Sequence, residues 1–123
     1  MLQFLDHVVM FVSSVRDAVA WYGSVLGLPI AQVDDNFATI NIGASQLSFH
    51  VADAKVAAGH SGQVAYWRVS SLADSSERMV AGGATLYRGP LAIDSGIGIC
   101  QFADPFGNLI GLIGAYRGAQ LLS

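Results

Sequence analysis

With 123 residues, 53% of them hydrophobic and only 12% charged, the chain has ample material for a core and little for a solvated surface. It makes one compact body, or two small modules sharing a core. A net charge of −3 argues against nucleic acid or an anionic membrane as partner, since both reward a basic face. Apolar runs such as Val8 to Val12 are far too short to cross a bilayer, so the surplus apolar surface points to a homodimer. Neither a signal peptide nor a charged targeting segment is visible at the start. Cys100 is the single cysteine, which fits a reducing cytoplasm.

Residues 4–12 alternate and are rich in Val and Phe, the pattern of a half-buried strand. Ser14 precedes Asp17 at capping spacing, and Val15, Ala18, Val19, Tyr22 and Leu26 follow at helical spacing until Gly27 supplies the stop. After Pro29, strands are expected over about 37–42 and 45–51, with Gly43-Ala44 as the turn between them. The small-residue stretch from Ala52 to Gly62 reads as a loop. A strand at 64–69 then leads to Ser71, a second cap with Asp74 at the fourth position, and a helix running to about Val80 before Gly82-Gly83. Strands near 84–88, 96–102 and 108–114 close the chain, and Asp104-Pro105-Phe106-Gly107-Asn108 marks a turn.

The stretches beginning at His7 and at Val64 lie 57 residues apart and repeat one pattern, which makes two copies of a single β-α-β-β-β unit. Module one covers about 1–53 and module two about 63–116, within one domain of 1–123. The expected fold is α+β: two tandem βαβββ modules whose curved mixed sheet surrounds a cavity.

That order, with Asp6-His7-Val8, Ala20-Trp21-Tyr22, Val25-Leu26-Gly27-Leu28, Gly82-Gly83-Ala84 and the Asp-Pro-Phe-Gly-Asn turn, resembles the vicinal oxygen chelate superfamily. This group holds glyoxalase I, the extradiol dioxygenases and the bleomycin- and fosfomycin-resistance proteins. The resemblance covers nearly the whole chain. It implies side chains on a concave face, and in many members one divalent metal held by two ligands from each module. Such an ion, with open positions, chelates adjacent substrate oxygens and stabilises an enolate.

Carried over residue by residue, the four ligand positions fall on His7, Gln46, Val64 (or Gln63, after a one-residue shift) and Gly111. Only His7 is a good ligand, so no cofactor is expected from this set. A divalent ion (Zn, Ni, Mn or Fe) would have to rest on His7 and His50, with His60 or Gln46 as further donors. Strand alternation independently places His7, Val9 and Phe11 on one face, with Gln46, Ser48 and His50 beside them. Val64, Tyr66 and Arg68 share a face in module two, as do Leu109, Gly111 and Ile113.

The result is an apolar bowl carrying a few polar groups, the makeup of a small-molecule pocket. Arg68 either reaches out to the rim or binds an anion through two hydrogen bonds. Cys100 reads as a buried, inert thiol. Three readings stand: a small-molecule-binding protein or metal-independent enzyme, a metal-dependent lyase, isomerase or dioxygenase, and a dimeric structural or regulatory domain with no ligand. A catalytic member would be a glyoxalase-like lyase or a dioxygenase.

Overall fold

The computed structural model describes residues 1, 3–59 and 62–118. The chain divides into two compact units, 1–59 and 60–123. Each is one βαβββ module, so the expected α+β repeat is borne out.

Module one runs β1 (His7–Val12), α1 (Val15–Leu26), β2 (Ile30–Val33), β3 (Phe37–Ile42) and β4 (Ser45–Val51). The sheet order is β1-β4-β3-β2; β1 lies parallel to β4 and the other neighbours are antiparallel. The helix starts where Ser14 Oγ accepts the Asp17 amide at 3.3 Å, satisfying a first-turn donor that has no intrahelical partner. It stops at Gly27, whose φ of 67° is left-handed and suits a residue without Cβ. Met10 and Val12 on β1, with Leu47 and Phe49 on β4, are buried along with Val19 and Tyr22 of α1. Tyr22 closes this core with its ring 5.1 Å from that of Phe49.

Module two repeats the plan with β5 (Tyr66–Ser71), α2 (Leu72–Ala81), β6 (Thr85–Asp94), β7 (Ile97–Ala103) and β8 (Leu109–Ala115), in sheet order β5-β8-β7-β6. Ser71 caps α2 through the Asp74 amide at 3.2 Å. Asp104 ties the β7–β8 turn, its Oδ1 accepting the amides of Phe106 and Asn108 at 2.8 Å each.

Four elements differ from the sequence reading. β2 was not located there, because Ile30–Val33 is an edge strand exposed at every position and shows no alternation. β5 starts at Tyr66 rather than 64, and β1 at His7 rather than 4. β6 continues to Asp94, carried past Gly89-Pro90 by register shifts on either side of Arg88.

Candidate functional site

In each module the helix covers one face of the sheet, and the residues between the core positions share the other. On that face of module one, strand register sets three rows across β1, β4 and β3. They are His7–Gln46–Asn41, Val9–Ser48–Thr39 and Phe11–His50–Phe37. The predicted residues His7, Val9, Phe11, Gln46, Ser48 and His50 are therefore brought onto one surface.

His7 Nδ1 lies 2.6 Å from the Asp6 carboxylate. The carboxylate accepts that N–H and leaves Nε2 outside the bond. The Gln46 amide is turned onto Asn41 Oδ1 at 3.0 Å. Thr39 and Ser48 are buried and bonded to each other at 3.2 Å. His50 donates Nδ1–H to the Val51 carbonyl at 2.7 Å, and its ring packs 5.2 Å from that of Phe11. His50 pairs with Phe11, four residues along β1 from His7, an offset on the order of 13 Å. The two imidazoles, each held by its own partner, do not converge.

Module two carries the matching surface with different chemistry. In module one the Asp6 carbonyl accepts the backbone N–H of Gln46 at 3.1 Å; in module two the Ala65 carbonyl accepts the backbone N–H of Gly111 at 2.9 Å. The counterpart of the His7–Gln46 pair is therefore Tyr66–Gly111, which face each other across β5 and β8. Val64, assigned to that place by the 57-residue repeat, lies ahead of β5 and outside the paired register. The repeat is anchored on the helix caps, and the shorter path from β5 to Ser71, with a register shift after Val69, moves the strand against it.

A Cβ on Gly111 would lie 2.6 Å from Cδ1 of Tyr66, so the phenol ring rests where residue 111 has no side chain. The Tyr66 oxygen then accepts a hydrogen bond from Gln101 Nε2 at 2.6 Å, leaving its own O–H free to donate. Register extends this row to Arg88, and the next one reads Arg68–Ile113–Ile99–Leu91. Leu109 is buried at the other end of β8. Among the described residues, neither Arg68 nor Arg88 is ion-paired with a carboxylate, whereas Arg16 is held by Asp35.

Asn41, Gln101 and Arg88 belong to these rows and were not singled out from sequence. Counting back from the Asp104 turn pairs Ala103 with Leu109 and so Gln101 with Gly111, a signal that was legible. Arg88 had none, because the irregular register of β6 breaks the alternation that would expose it.

The sequence from residue 4 to 112 matches the family model of the Glyoxalase/Bleomycin resistance protein/Dioxygenase superfamily. The chain belongs to that superfamily. Among solved structures, a glyoxalase/bleomycin resistance protein/dioxygenase family enzyme from Burkholderia phytofirmans PsJN is similar at 17% identity and a TM-score of 0.77, over 93% of this chain and 100% of that one. A glyoxalase-related enzyme from Fulvimarina pelagi is similar at 20% identity and 0.75, over 96% and 94%. A superfamily member from Sphaerobacter thermophilus DSM 20745 is similar at 19% identity and 0.74, over 93% and 98%. No curated protein matches.

For a member of the glyoxalase superfamily, the metal positions carry the wrong donors. The exception is His7, whose Nε2 the Asp6 bond leaves open; Gln46 is a neutral amide, Tyr66 stands in the third place and Gly111 offers nothing. These groups do not fit the four-ligand site. No three His, Cys, Asp or Glu side chains converge among the described residues; His60 lies outside them. No helix among them is long and apolar enough to cross a membrane.

Proposed function

We propose that this superfamily member binds a small, partly apolar molecule carrying a carboxylate or similar anionic group, without a metal as the anchoring centre. The observation that supports this is the replacement of a ligand pair by the Tyr66 phenol seated on Gly111 and fixed by Gln101. In this reading the phenolic O–H donates to a ligand oxygen. Arg68 and Arg88 supply the charge, and Leu91, Ile99 and Ile113 take the apolar body. The row His7–Gln46–Asn41 provides donors and acceptors of its own. If the protein is catalytic, the His7 Nε2 left free by the Asp6 bond is the proton acceptor. Association as a homodimer is part of the proposal, supported by the exposed apolar side chains of Tyr87, Leu91 and Ile93 on β6. A reducing cytoplasm suits the single thiol.

Calorimetry with matched aryl carboxylates and their neutral amides tests the reading. The carboxylate should bind more tightly, and Arg68→Gln and Tyr66→Phe should each weaken it roughly tenfold, the loss of one hydrogen bond to a charged group. In parallel, metal content is measured in untagged protein and thermal unfolding is repeated with Zn, Ni, Mn and Fe(II). A stoichiometric metal, or a stabilisation abolished by His7→Ala, would replace this proposal with metal-dependent chemistry.

A further inference from the structure

We propose that module two holds a second binding site on the helix-covered face of its sheet, and that it takes a small apolar amine. Between α2 and the β6–β7 ribbon lies a cavity of about 370 Å³, at the small end of the roughly 300–1,000 Å³ typical of ligand pockets. Cys100 and Phe102, both buried, form the floor, while Val80, Leu86 and Pro90 form the walls. This site is distinct from the Tyr66 surface. Cys100 and Phe102 flank Gln101 on β7, so alternation sends their side chains to the opposite face.

The cavity follows from a difference between the two helices. At Gly23 of α1, an added Cβ would lie 3.5 Å from Ile30 and 3.3 Å from the Leu28 carbonyl. Here β2 lies directly against the helix, with room for no side chain larger than a methyl group. The residue one repeat later is Val80, which stands 56% exposed on the lip of the opening. Val19, fully packed under α1, is likewise matched by Ser76, whose small side chain reaches Cys100 Sγ at 3.6 Å and leaves volume unfilled. Module one fills this space and module two does not.

The chemistry of the lining selects the occupant. Its only charged residue is Glu77, exposed at the mouth, and among the described residues no cation pairs with it. An apolar body on Phe102, Leu86 and Val80 with an ammonium at the Glu77 carboxylate satisfies both parts. A carboxylate in the same place would be repelled. Burial pushes the Cys100 thiol above its ordinary range, only partly offset by the Ser76 hydroxyl, so it adds a neutral, soft contact rather than a competing anion.

The test is calorimetry on the full chain with 4-phenylbutylamine and 4-phenylbutanol. The amine should bind saturably, about two- to fivefold more tightly than the alcohol, as an exposed ion pair provides. Glu77→Gln should bring the amine to the alcohol's affinity. Ala81→Leu, or Ala73→Leu should that variant fold poorly, should fill the space and abolish binding while leaving aryl-carboxylate binding at the Tyr66 face unchanged. Equal affinity for the two probes, or no saturable binding, would overturn the proposal. So would an Ala81→Leu variant that dissociates a dimer while the amine neither binds nor competes, since a second copy would then be the occupant.

Discussion

Gly111→Ala tests the arrangement on which the site reading rests. The new Cβ would meet Cδ1 and Cε1 of Tyr66 at 2.6 and 2.8 Å and the Ala65 carbonyl oxygen at 2.9 Å, where carbon atoms prefer roughly 3.5–4.0 Å. The ring can escape only by swinging off the sheet, giving up the Gln101 hydrogen bond, about 1 kcal/mol. The carbonyl belongs to the backbone just ahead of β5, where it accepts the Gly111 amide at 2.9 Å, and cannot follow. Overpacking of this kind costs roughly 1–3 kcal/mol, while losing the glycine's unfolded-state entropy returns about 0.4–1 kcal/mol. The net expectation is a loss of about 2 kcal/mol, read from urea midpoints at unchanged m-value. Tyr66→Ala supplies the control: in that background Gly111→Ala should cost no more than about 1 kcal/mol, with a coupling of at least about 1 kcal/mol. Additive single and double variants would show that the ring does not rest on Gly111, and the Tyr66–Gln101 platform would fall with it.

Other perturbations probe the framework. Ser14→Ala and Ser71→Ala each remove a side-chain acceptor at a helix start and should each cost about 1 kcal/mol, with chemical denaturation as the measure; a change below about 0.3 kcal/mol would deny the caps a role. Asp34 and Asp53 are held below their ordinary pKa, Asp34 first by the Asn36 amide and then that of Phe37, Asp53 first by the Val56 amide and then that of Lys55. Because the folded values lie below the unfolded value of about 3.9, their stabilisation is present above that pH and disappears as pH falls through the folded values. The urea midpoint should therefore hold down to about pH 5 and drop below about pH 4, and Asp34→Asn with Asp53→Asn should flatten that drop; an identical drop in the double variant would assign it elsewhere. Cys100, 1% exposed with its thiol pKa raised by burial, should react with iodoacetamide far more slowly folded than in urea, and equal rates would contradict its place on the cavity floor.

Much of the fold was legible because its signals are local. Ser14 and Ser71 each announce a helix through an acceptor three residues before a donor, and Gly27 ends one by adopting a backbone that other residues resist. The alternation of His7 to Val12 and of Ser45 to Val51 put Met10, Val12, Leu47 and Phe49 in the core, since strand period is a property of the chain itself, although Ser48 on the other face is buried as well. β2 escaped because an edge strand exposed throughout has no alternation to read. The candidate site is legible in part: the sequence points to His7, Gln46, Tyr66 and Gly111, but the repeat puts Val64 in the third ligand position where register puts Tyr66, and it carries no pointer to Arg88.

The amino-acid order by itself determined the identity of each helix and of most strands, the turn at Asp104 and the family to which the chain belongs. Tertiary structure alone decided which strand residue opposes which, that the Tyr66 ring occupies the space Gly111 leaves, and that Val80 and Ser76 leave a cavity where Gly23 and Val19 close one. Caps, turns and alternation arise from neighbours along the chain. Register and unfilled volume arise from hydrogen bonds and side-chain sizes summed across segments distant in sequence, and those sums exist only once the strands have met.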